Sequence, residues 1–302
     1  MTSKAGFVAL IGEPNVGKSA LMNRLIGSKI SIVTHKVQTT RVRVRGVINR
    51  RNTQVVFVDT PGIFAPRRRL DHAMVTAAWS SVKDADMILV LYEAHRGITP
   101  GIEQIISSLK TRNPSQRLAA VVNKIDRAKP KSLLQLAAQI NSQFNFEHTF
   151  FVSATKGDGV ADLLDWLTDE MPENPWFFDH DQVSDLPLRL LAAERTREKL
   201  MIRLHQEIPY QLTVEGETWE EQSDGSVRIS QIIYVNRKGH KGLVLGNCGA
   251  TIKAIGTAAR IDLEHFLERR VHLFLRVKVR PGWLNERERY AEIGLEFQDK
   301  SS

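Results

Sequence analysis

One eight-residue segment limits the fold of this chain more than any other feature. Gly12 to Ser19 reads GEPNVGKS, which fits the pattern G-x-x-x-x-G-K-S. The glycines let successive backbone N–H groups point at phosphate oxygens, Lys18 adds a positive charge, and the last hydroxyl can bind Mg²⁺. The segment lies between a predicted strand and a predicted helix, as a phosphate-binding loop (P-loop) requires. The predicted phosphate-binding residues are Gly12, Glu13, Pro14, Asn15, Val16, Gly17, Lys18 and Ser19.

Apolar runs alternate with helical patterns through the first half of the chain. Near-continuous apolar runs predict strands that are covered on both faces, as in a parallel sheet. These strands are Phe7 to Ile11, Val55 to Asp59, Met87 to Leu91, Ala119 to Asn123 and Thr149 to Ser153. The helices predicted between them begin at Lys18 and span Ala73 to Lys83, Gly101 to Lys110, Lys131 to Phe144 and Val160 to Asp169. The pattern predicts an α/β domain over residues 1–175 with a doubly wound, mostly parallel sheet.

A carboxylate at the end of one predicted strand supplies the next part of a phosphate site. In Asp59-Thr60-Pro61-Gly62 the carboxylate can hold Mg²⁺ through water, and the glycine N–H can meet a γ-phosphate. A Thr hydroxyl of the preceding Gln38-Thr39-Thr40-Arg41 segment can complete the Mg²⁺ shell while the γ-phosphate is present. Thr40 is the preferred ligand and Thr39 the alternative. The predicted Mg²⁺ ligands are Ser19, Thr40 and Asp59, and Thr60, Pro61 and Gly62 join the nucleotide site.

A tetrad after the fourth of these strands indicates which base is bound. Asn123-Lys124-Ile125-Asp126 places a carboxylate where it can accept hydrogen bonds from N1–H and the 2-amino group of guanine, which adenine lacks. A site built for those donors rejects a base without them. Ser153-Ala154-Thr155 follows the next strand and can support the base with a main-chain N–H. The order of the motifs predicts GTP rather than ATP, with Asn123, Lys124, Asp126, Ser153 and Ala154 assigned to the base.

The residue after Gly62 departs from a common pattern. Many GTPases place a Gln there to orient the attacking water, whereas this chain has the apolar Ile63. No side chain is therefore predicted to act as a catalytic base, and slow hydrolysis that a partner accelerates is expected. A second cation is one candidate aid, and Asn15 is a candidate ligand for K⁺ beside the phosphates. The alternative for Asn15 is a residue that only stabilises the loop.

The chain changes character after Met171. Three prolines between Met171 and Pro187 indicate a linker, which we place at residues 176–187. The segments predicted beyond it are a helix over Leu188 to His205, a hairpin of Gln211 to Glu221 and Val227 to Val235, a helix over Ala250 to Arg260, a further short helix, and a strand over Val271 to Val279. They predict an α+β domain over residues 188–285, followed by a tail over residues 286–302.

Bulk properties suggest an anionic partner and a reducing compartment. The net charge is +8, and two long stretches, Lys36 to Arg51 and Val227 to Arg260, contain basic residues but no acidic ones. The single cysteine, Cys248, excludes a disulfide framework. The sequence has no signal-peptide pattern and no apolar run near the roughly 20 residues that a membrane span needs. A cytoplasmic protein is expected.

The motifs together resemble a known family. The order GEPNVGKS, QTTR, DTPG, NKID and SAT is similar to the TrmE–Era–EngA branch of translation-associated GTPases. Residues Val244 to Val279 resemble a type II KH domain placed as in Era-like proteins, and the similarity covers about residues 5–285. The resemblance implies binding to 16S rRNA near its 3′ end and help in 30S subunit maturation. It also implies a cytoplasmic location with peripheral association at the inner membrane in many members, and a monomer is expected.

A KH domain clamps nucleotides against a G-x-x-G loop whose backbone approaches the phosphates. The matching loop here is Gly246-Asn247-Cys248-Gly249, whose middle pair lacks the basic residue that is usual in the family. Contact of these two side chains with phosphate is therefore in question, although the glycines still permit the backbone approach. Apolar residues such as Ile229, Ile252 and Ile255 are candidates for a base-binding groove, with core packing as their alternative. The predicted RNA-binding residues are Arg237, Lys238, Lys241, Gly246, Asn247, Cys248, Gly249 and Lys253.

Three other functions compete with a GTPase switch in ribosome assembly. An RNA-binding scaffold that only senses nucleotide level is compatible with Ile63. A kinase using the same P-loop is disfavoured by Asn123 to Asp126, and a membrane-surface GTPase would use the positive charge. A further hypothesis is that GTP reorganises the basic segments Lys36 to Arg51 and Arg67 to Arg69, and so changes RNA affinity. The alternative is that these charges only keep surface loops soluble.

Overall fold

This computed structural model describes residues 2–36, 39–66, 68–112, 115–283, 286–287, 290 and 295–297. The chain divides into two compact units. The described residues within 1–31, 40–185 and 291–302 build the first unit, and those within 32–39 and 186–290 build the second. Gln38, Arg67 and most of the predicted tail over 286–302 lie outside the described residues.

The first unit is built on a six-stranded sheet. Its strands are β1 (Lys4–Ile11), β2 (Val44–Arg50), β3 (Thr53–Asp59), β4 (Met87–Glu93), β5 (Arg117–Asn123) and β6 (His148–Val152). Their order is β2-β3-β1-β4-β5-β6, with β2 antiparallel to β3 and every other pair parallel. Strands β3 and β4 are buried along their whole length, which explains their unbroken apolar runs. The prediction of a doubly wound, mostly parallel sheet is confirmed.

In the described part of the chain, five helices follow strands of this sheet. They are α1 (Lys18–Ile26), α2 (Arg69–Lys83), α3 (Pro100–Arg112), α4 (Pro130–Gln143) and α5 (Val160–Glu170). Each buries one apolar face, as Ile102, Ile105, Ile106 and Leu109 do in α3. Because the strands are parallel, their carboxyl ends share one edge of the sheet, and the loops after β1, β3 and β5 carry the P-loop, Asp59 and Asn123 motifs.

Strand β2 was not among the predicted strands. It lies inside the basic Lys36 to Arg51 stretch, where alternating arginines obscure the apolar signal. Val44 and Val47 are nevertheless buried, because β2 covers the edge of β3.

The segment after Met171 packs on the sheet of the first unit. The Gln54 side chain on β3 accepts hydrogen bonds from the Phe177 and Phe178 N–H groups at 2.8 and 3.0 Å.

The second unit combines a three-stranded sheet with helices. Its elements are α6 (Leu188–Arg203), β7 (Leu212–Glu221), β8 (Val227–Val235), α7 (Lys238–Leu245), α8 (Ala250–Leu267) and β9 (Val271–Val279). Strand β8 is central, antiparallel to β7 and parallel to β9. The core joins buried residues of α6, the sheet and α8, including Leu200, Ile233 and Ile255.

The helices of this unit differ from the prediction in two places. Helix α7 was not predicted, because its eight residues include two glycines and bury only Val244. Helix α8 continues as one helix of 18 residues where a helix ending at Arg260 and a separate short helix were expected. The buried positions Ile255, Ala259 and Leu263 keep helical spacing across that point, so the same face stays on the core. Among the helices that the structure describes, none is long and apolar enough to cross a membrane.

Candidate functional site

The P-loop between β1 and α1 depends on glycines at both of its ends. Gly12 has φ 156° and Gly17 has φ 102°, a region that side chains disfavour. A Cβ at Gly17 would lie 2.3 Å from the Asn123 amide nitrogen, and one at Gly12 would lie 2.9 Å from the Leu91 carbonyl oxygen. Both positions therefore require glycine, because residues of the neighbouring strands β4 and β5 approach this backbone closely.

Lys18 is the buried cation of this loop. Its side chain is 6% exposed, and Nζ donates to the Gly12 and Glu13 carbonyl oxygens at 3.1 Å each. Burial lowers the pKa of Lys18 to about 8, although the charges of Asp59 and Glu13 act in the opposite direction. An anion beside this ammonium would offset the cost of its burial, as nucleotide phosphates do in P-loops.

The structure brings the three predicted Mg²⁺ ligands together. Ser19 Oγ donates to Asp59 Oδ2 at 2.6 Å, and Thr40 Oγ1 lies 3.0 Å from Ser19 Oγ and 3.4 Å from the same carboxylate oxygen. Asp59 is fully buried, and burial raises its pKa against the opposing effect of these hydroxyls and Lys18. Its Oδ1 atom is buried without a hydrogen-bond partner among the described residues. Hard oxygen donors with one unsatisfied carboxylate oxygen fit Mg²⁺.

Thr39, the alternative to Thr40, has other partners. Its hydroxyl lies 2.7 Å from the Thr34 hydroxyl and donates to the Lys36 carbonyl oxygen at 2.7 Å. These contacts form a local turn and occupy the side chain, which makes Thr40 the better placed of the two hydroxyls.

The segment after Asp59 packs directly on the P-loop. A Cβ at Gly62 would lie 2.8 Å from the Pro14 nitrogen, and the Ile63 N–H donates to the Gly12 carbonyl oxygen at 3.1 Å. The Thr60 hydroxyl donates to the Leu10 carbonyl oxygen at 2.6 Å and anchors the start of the segment. The Ile63 side chain is 9% exposed and belongs to the apolar core. Ile63 is thus a packing residue whose backbone touches the site.

Asn123 ties three loops together through one side-chain amide. Its Nδ2 donates to the Val16 carbonyl oxygen at 3.0 Å, and its Oδ1 accepts from the Lys124 and Ala154 N–H groups at 2.8 and 3.1 Å. Lys124 Nζ in turn donates to the Asn15 carbonyl oxygen at 2.7 Å. The Ala154 N–H that was predicted to support the base therefore bonds Asn123 in this structure.

Asp126, the predicted guanine acceptor, is exposed and oriented by a neighbouring loop. The Ser153 hydroxyl donates to Asp126 Oδ1 at 2.6 Å, and this hydrogen bond lowers the pKa of the carboxyl. An ionised carboxylate is an acceptor only, which is what the two N–H donors of guanine require. The structure thus places the two predicted base-reading loops side by side.

Several residues that support the site were missed by sequence reasoning. Arg24 on α1 donates through Nε to the Ala154 carbonyl oxygen at 3.0 Å and through Nη2 to the Thr155 carbonyl oxygen. Glu93 accepts from Lys124 Nζ at 2.9 Å, and Thr99 donates to the Glu13 carboxylate at 2.6 Å. Each lies outside the recognised motifs. Only the positions of Glu93 at the end of β4, Arg24 on the helix after the P-loop and Thr99 directly before α3 could have pointed to them.

In the second unit, the Gly246–Gly249 loop forms a tight turn between α7 and α8. A Cβ at Gly246 would lie 2.1 Å from the Thr251 hydroxyl oxygen, so the loop backbone sits directly on the first turn of α8. Asn247 and Cys248 are exposed at the tip, and Cys248 has φ 48°. The backbone is accessible there, as the predicted phosphate approach requires.

The basic residues predicted to bind RNA lie on the two helices that flank this loop and at the start of the first of them. Arg237, Lys238 and Lys253 are exposed, and Lys241 is half-buried. Two of the three apolar candidates for a base-binding groove are core residues. Ile229 and Ile255 are each 1% exposed and pack in the core of the unit. Of the three, only Ile252 is partly exposed.

The comparisons with known proteins define the class to which this fold and site belong. Residues 7–124 match the family model of the 50S ribosome-binding GTPases, and residues 207–284 match that of the KH domain. The chain is therefore a P-loop GTPase that continues into a KH domain.

Curated relatives place it more closely. GTPase Era of Dinoroseobacter shibae is 59% identical over 298 residues, covering 98% of this chain and 97% of that protein. GTPase Era of Mesorhizobium japonicum is 57% identical, covering 97% of this chain and 94% of the relative. The chain belongs to the Era family of GTPases, and its activity is GTP hydrolysis.

Two solved structures match over both units. One is the crystal structure of Era in complex with MgGDPNP and nucleotides 1506–1542 of 16S ribosomal RNA, with a TM-score of 0.91 and 38% identity over 97% of this chain and 99% of the other. The second is a variant of Aquifex aeolicus Era bound to GDP and AlF4⁻, with a TM-score of 0.91 and 38% identity over 96% of this chain and 99% of the other. The predicted family and fold class are confirmed.

Proposed function

We propose that this GTPase binds 16S rRNA near its 3′ end through its KH domain and assists maturation of the 30S subunit. The observation that carries the proposal is the likeness, at a TM-score of 0.91 across 97% of the chain, to the Era complex with nucleotides 1506–1542 of 16S rRNA. The Gly246–Gly249 turn with its exposed neighbours Arg237, Lys238 and Lys253 supports it, since a KH loop holds RNA by backbone approach and nearby charge.

We assign the parts of this function to the ranges that the sequence predicted. Residues 1–175 carry GTP binding and hydrolysis, residues 176–187 connect the domains, and residues 188–285 bind RNA. The P-loop residues Gly12 to Ser19, Thr40, Asp59 to Gly62, the Asn123 to Asp126 loop, and Ser153 with Ala154 hold the nucleotide. Arg237, Lys238, Lys241, Lys253 and the Gly246–Gly249 loop hold the RNA.

The proposal includes Mg²⁺ at Ser19, Thr40 and Asp59. The relative that carries MgGDPNP supports this, as does the unsatisfied Asp59 Oδ1 beside two hydroxyls. When bound, Mg²⁺ would neutralise charge that develops on the phosphates. K⁺ at Asn15 stays a proposal on the sequence alone. A GDP-release assay in Na⁺ against K⁺ would test it, and equal rates would reject it.

RNA binding is tested with a labelled RNA of the 16S 3′ end and a scrambled RNA of the same length, across a salt series. We expect the 3′-end RNA to bind more tightly at every salt concentration, because base contacts add to the phosphate contacts that both RNAs share. Equal affinities for the two RNAs would reject sequence-specific recognition.

Charge also motivates a second candidate role at the inner membrane. The net charge of +8 supports electrostatic attraction of a monomeric, cytoplasmic protein to an anionic lipid surface. Co-sedimentation with anionic vesicles at physiological salt tests this role, and equal sedimentation with neutral vesicles would reject an electrostatic contribution.

A further inference from the structure

The Asp59 carboxylate has a partner that belongs to none of the nucleotide motifs. Ser31 Oγ donates to Asp59 Oδ2 at 2.7 Å, almost as close as Ser19 Oγ at 2.6 Å. Ser31 is 2% exposed and Asp59 is fully buried. Together with the longer contact from Thr40 at 3.4 Å, these hydroxyls fix one carboxylate oxygen, while Oδ1 has no partner among the described residues.

Ser31 is itself held by a side chain of the helix that follows the P-loop. Asn23 Oδ1 accepts from the Ile30 and Ser31 N–H groups at 3.0 and 2.9 Å, and Asn23 Nδ2 donates to the Ser31 carbonyl oxygen at 2.7 Å. These three hydrogen bonds use both ends of the amide and clamp both backbone polar groups of Ser31.

The helix geometry links this clamp to the proposed Mg²⁺ ligand Ser19. Asn23 follows Ser19 by four residues within α1, so the two side chains lie on the same face, one turn apart. One face of α1 therefore supplies a proposed ligand directly and also fixes the Ser31 hydroxyl on Asp59. A carboxylate that is held in this way keeps a defined orientation in a buried position, where it would otherwise reorient.

We propose that Ser31, clamped by Asn23, is a positioning residue that orients the Asp59 carboxylate for Mg²⁺. The inference rests on the proposed Mg²⁺ site at Ser19, Thr40 and Asp59. Ser31 is proposed to act through Asp59 alone and not through contact with the nucleotide. Its removal weakens Mg²⁺ binding without weakening the contacts that hold guanine and the phosphates.

The test measures the release of a fluorescent GDP from the full-length protein across a Mg²⁺ titration and in EDTA. For Ser31→Ala we expect the Mg²⁺ concentration that half-maximally slows release to rise about tenfold, a typical cost of losing a partner that orients a metal ligand. Release in EDTA should match wild type, because no metal is present in either protein. Asn23→Ala should show the same Mg²⁺-specific change.

A matched control is available in the same unit. Ser81 is 1% exposed, and its hydroxyl donates at 2.9 Å to the Ala77 carbonyl oxygen of its own helix α2. Ser81→Ala is therefore the same substitution at equal burial but away from Asp59, and it should leave both the Mg²⁺ titration and the EDTA rate unchanged.

The possible results separate this inference from the proposed function. If Mg²⁺ does not slow release from wild type, the Mg²⁺ site itself is rejected. If wild type responds to Mg²⁺ and Ser31→Ala responds at the same concentration, the positioning role is overturned. It is also overturned if Ser31→Ala releases GDP faster by the same factor in EDTA and in Mg²⁺, because Ser31 would then serve only the fold. Asn23→Ala gives the same comparison if Ser31→Ala does not fold.

Discussion

At the scale of single residues, the predicted guanine site contains one buried residue that holds neighbouring segments together, Asn123, and one exposed residue that is predicted to bind the base, Asp126. Asn123 is 1% exposed, and its side-chain amide bonds the backbone of Val16, Lys124 and Ala154. Asp126 is exposed and accepts a hydrogen bond from the Ser153 hydroxyl. Substitution of Asn123 therefore disturbs several loops at once. Substitution of Asp126 changes the chemistry of recognition while leaving the loops in place.

Asp126→Asn should replace guanine recognition by xanthine recognition. The amide cannot accept both N–H donors of guanine, but its NH₂ group can donate to the carbonyl oxygen that xanthine carries in place of the 2-amino group. We expect GDP affinity to fall at least about a hundredfold and XDP affinity to rise. Calorimetric titration of both nucleotides measures this, and an unchanged preference for GDP would remove Asp126 from the base site.

Arg24→Ala tests a residue that lies outside every motif. Loss of its two hydrogen bonds to the Ala154 and Thr155 carbonyl oxygens should loosen the loop whose Ser153 hydroxyl orients Asp126. We expect the preference for GDP over IDP, which lacks the 2-amino group, to fall roughly fivefold, or about 1 kcal/mol.

The GDP-to-IDP ratio separates positioning from folding, since a general loss of stability lowers both affinities together. Lys110 is exposed on α3, so Lys110→Ala is a suitable control that removes one positive charge elsewhere in the domain. An unaltered ratio in Arg24→Ala would show that the loop keeps its position without Arg24.

Ile63→Ala should reduce stability rather than chemistry. The side chain is buried in the core, so its truncation leaves a cavity that costs about 2–4 kcal/mol. Turnover per folded molecule should stay at the wild-type value below the melting transition, because the Ile63 backbone N–H makes the hydrogen bond to the P-loop and the substitution leaves it in place. Denaturant unfolding and GTP hydrolysis measured together check this, and a large loss of turnover in the folded protein would give the side chain a catalytic role.

At the scale of elements, hydrophobic periodicity and the order of the motifs were enough to predict the parallel strands and the loops that carry the nucleotide motifs. The buried parallel strands and the loops at their carboxyl ends were recognisable because unbroken apolar runs and fixed residue spacings are local signals. Strand β2 and helix α7 were missed because arginines and glycines hide their weak apolar faces. Supporting residues such as Asn23 and Ser31 carry no local signal, since their importance arises only when distant segments meet.

The two glycines of the Gly246–Gly249 loop should differ in their sensitivity to substitution. Both have positive φ values, 73° and 77°, but only at Gly246 would a Cβ collide, with Thr251 in the first turn of α8. Gly249→Ala should lower the stability only by the strain of an alanine in the left-handed conformation, about 1–2 kcal/mol. Gly246→Ala should in addition displace the loop and reduce affinity for the 16S 3′-end RNA much more strongly.

GDP affinity should be unchanged in both variants, which makes it the control for an intact nucleotide site. A Gly246→Ala variant that binds the RNA as tightly as wild type would indicate that the loop backbone does not hold the RNA.

At the scale of the whole molecule, one segment of the chain bears on how nucleotide and RNA are linked. Residues 32–39, which directly precede Thr40, belong to the second unit. There Glu198 of α6 accepts from the Val33 N–H at 2.9 Å, and Arg197 donates to the Thr39 carbonyl oxygen. A proposed Mg²⁺ ligand is thus covalently continuous with residues that α6 of the KH-containing unit holds. The hypothesis that nucleotide state and RNA affinity depend on each other stays a prediction.

The most direct test of a GTPase switch in ribosome assembly is GTP turnover of the full-length protein with and without the 16S 3′-end RNA, or small subunits that contain it. Turnover should be slow alone and rise several-fold with this RNA, while a scrambled RNA of the same length and charge should have no effect. The Gly246→Ala variant should lose the stimulation and keep the basal rate. Equal turnover with and without the 3′-end RNA, under conditions where the RNA is bound, would contradict a GTPase switch and favour an RNA-binding scaffold that only senses nucleotide.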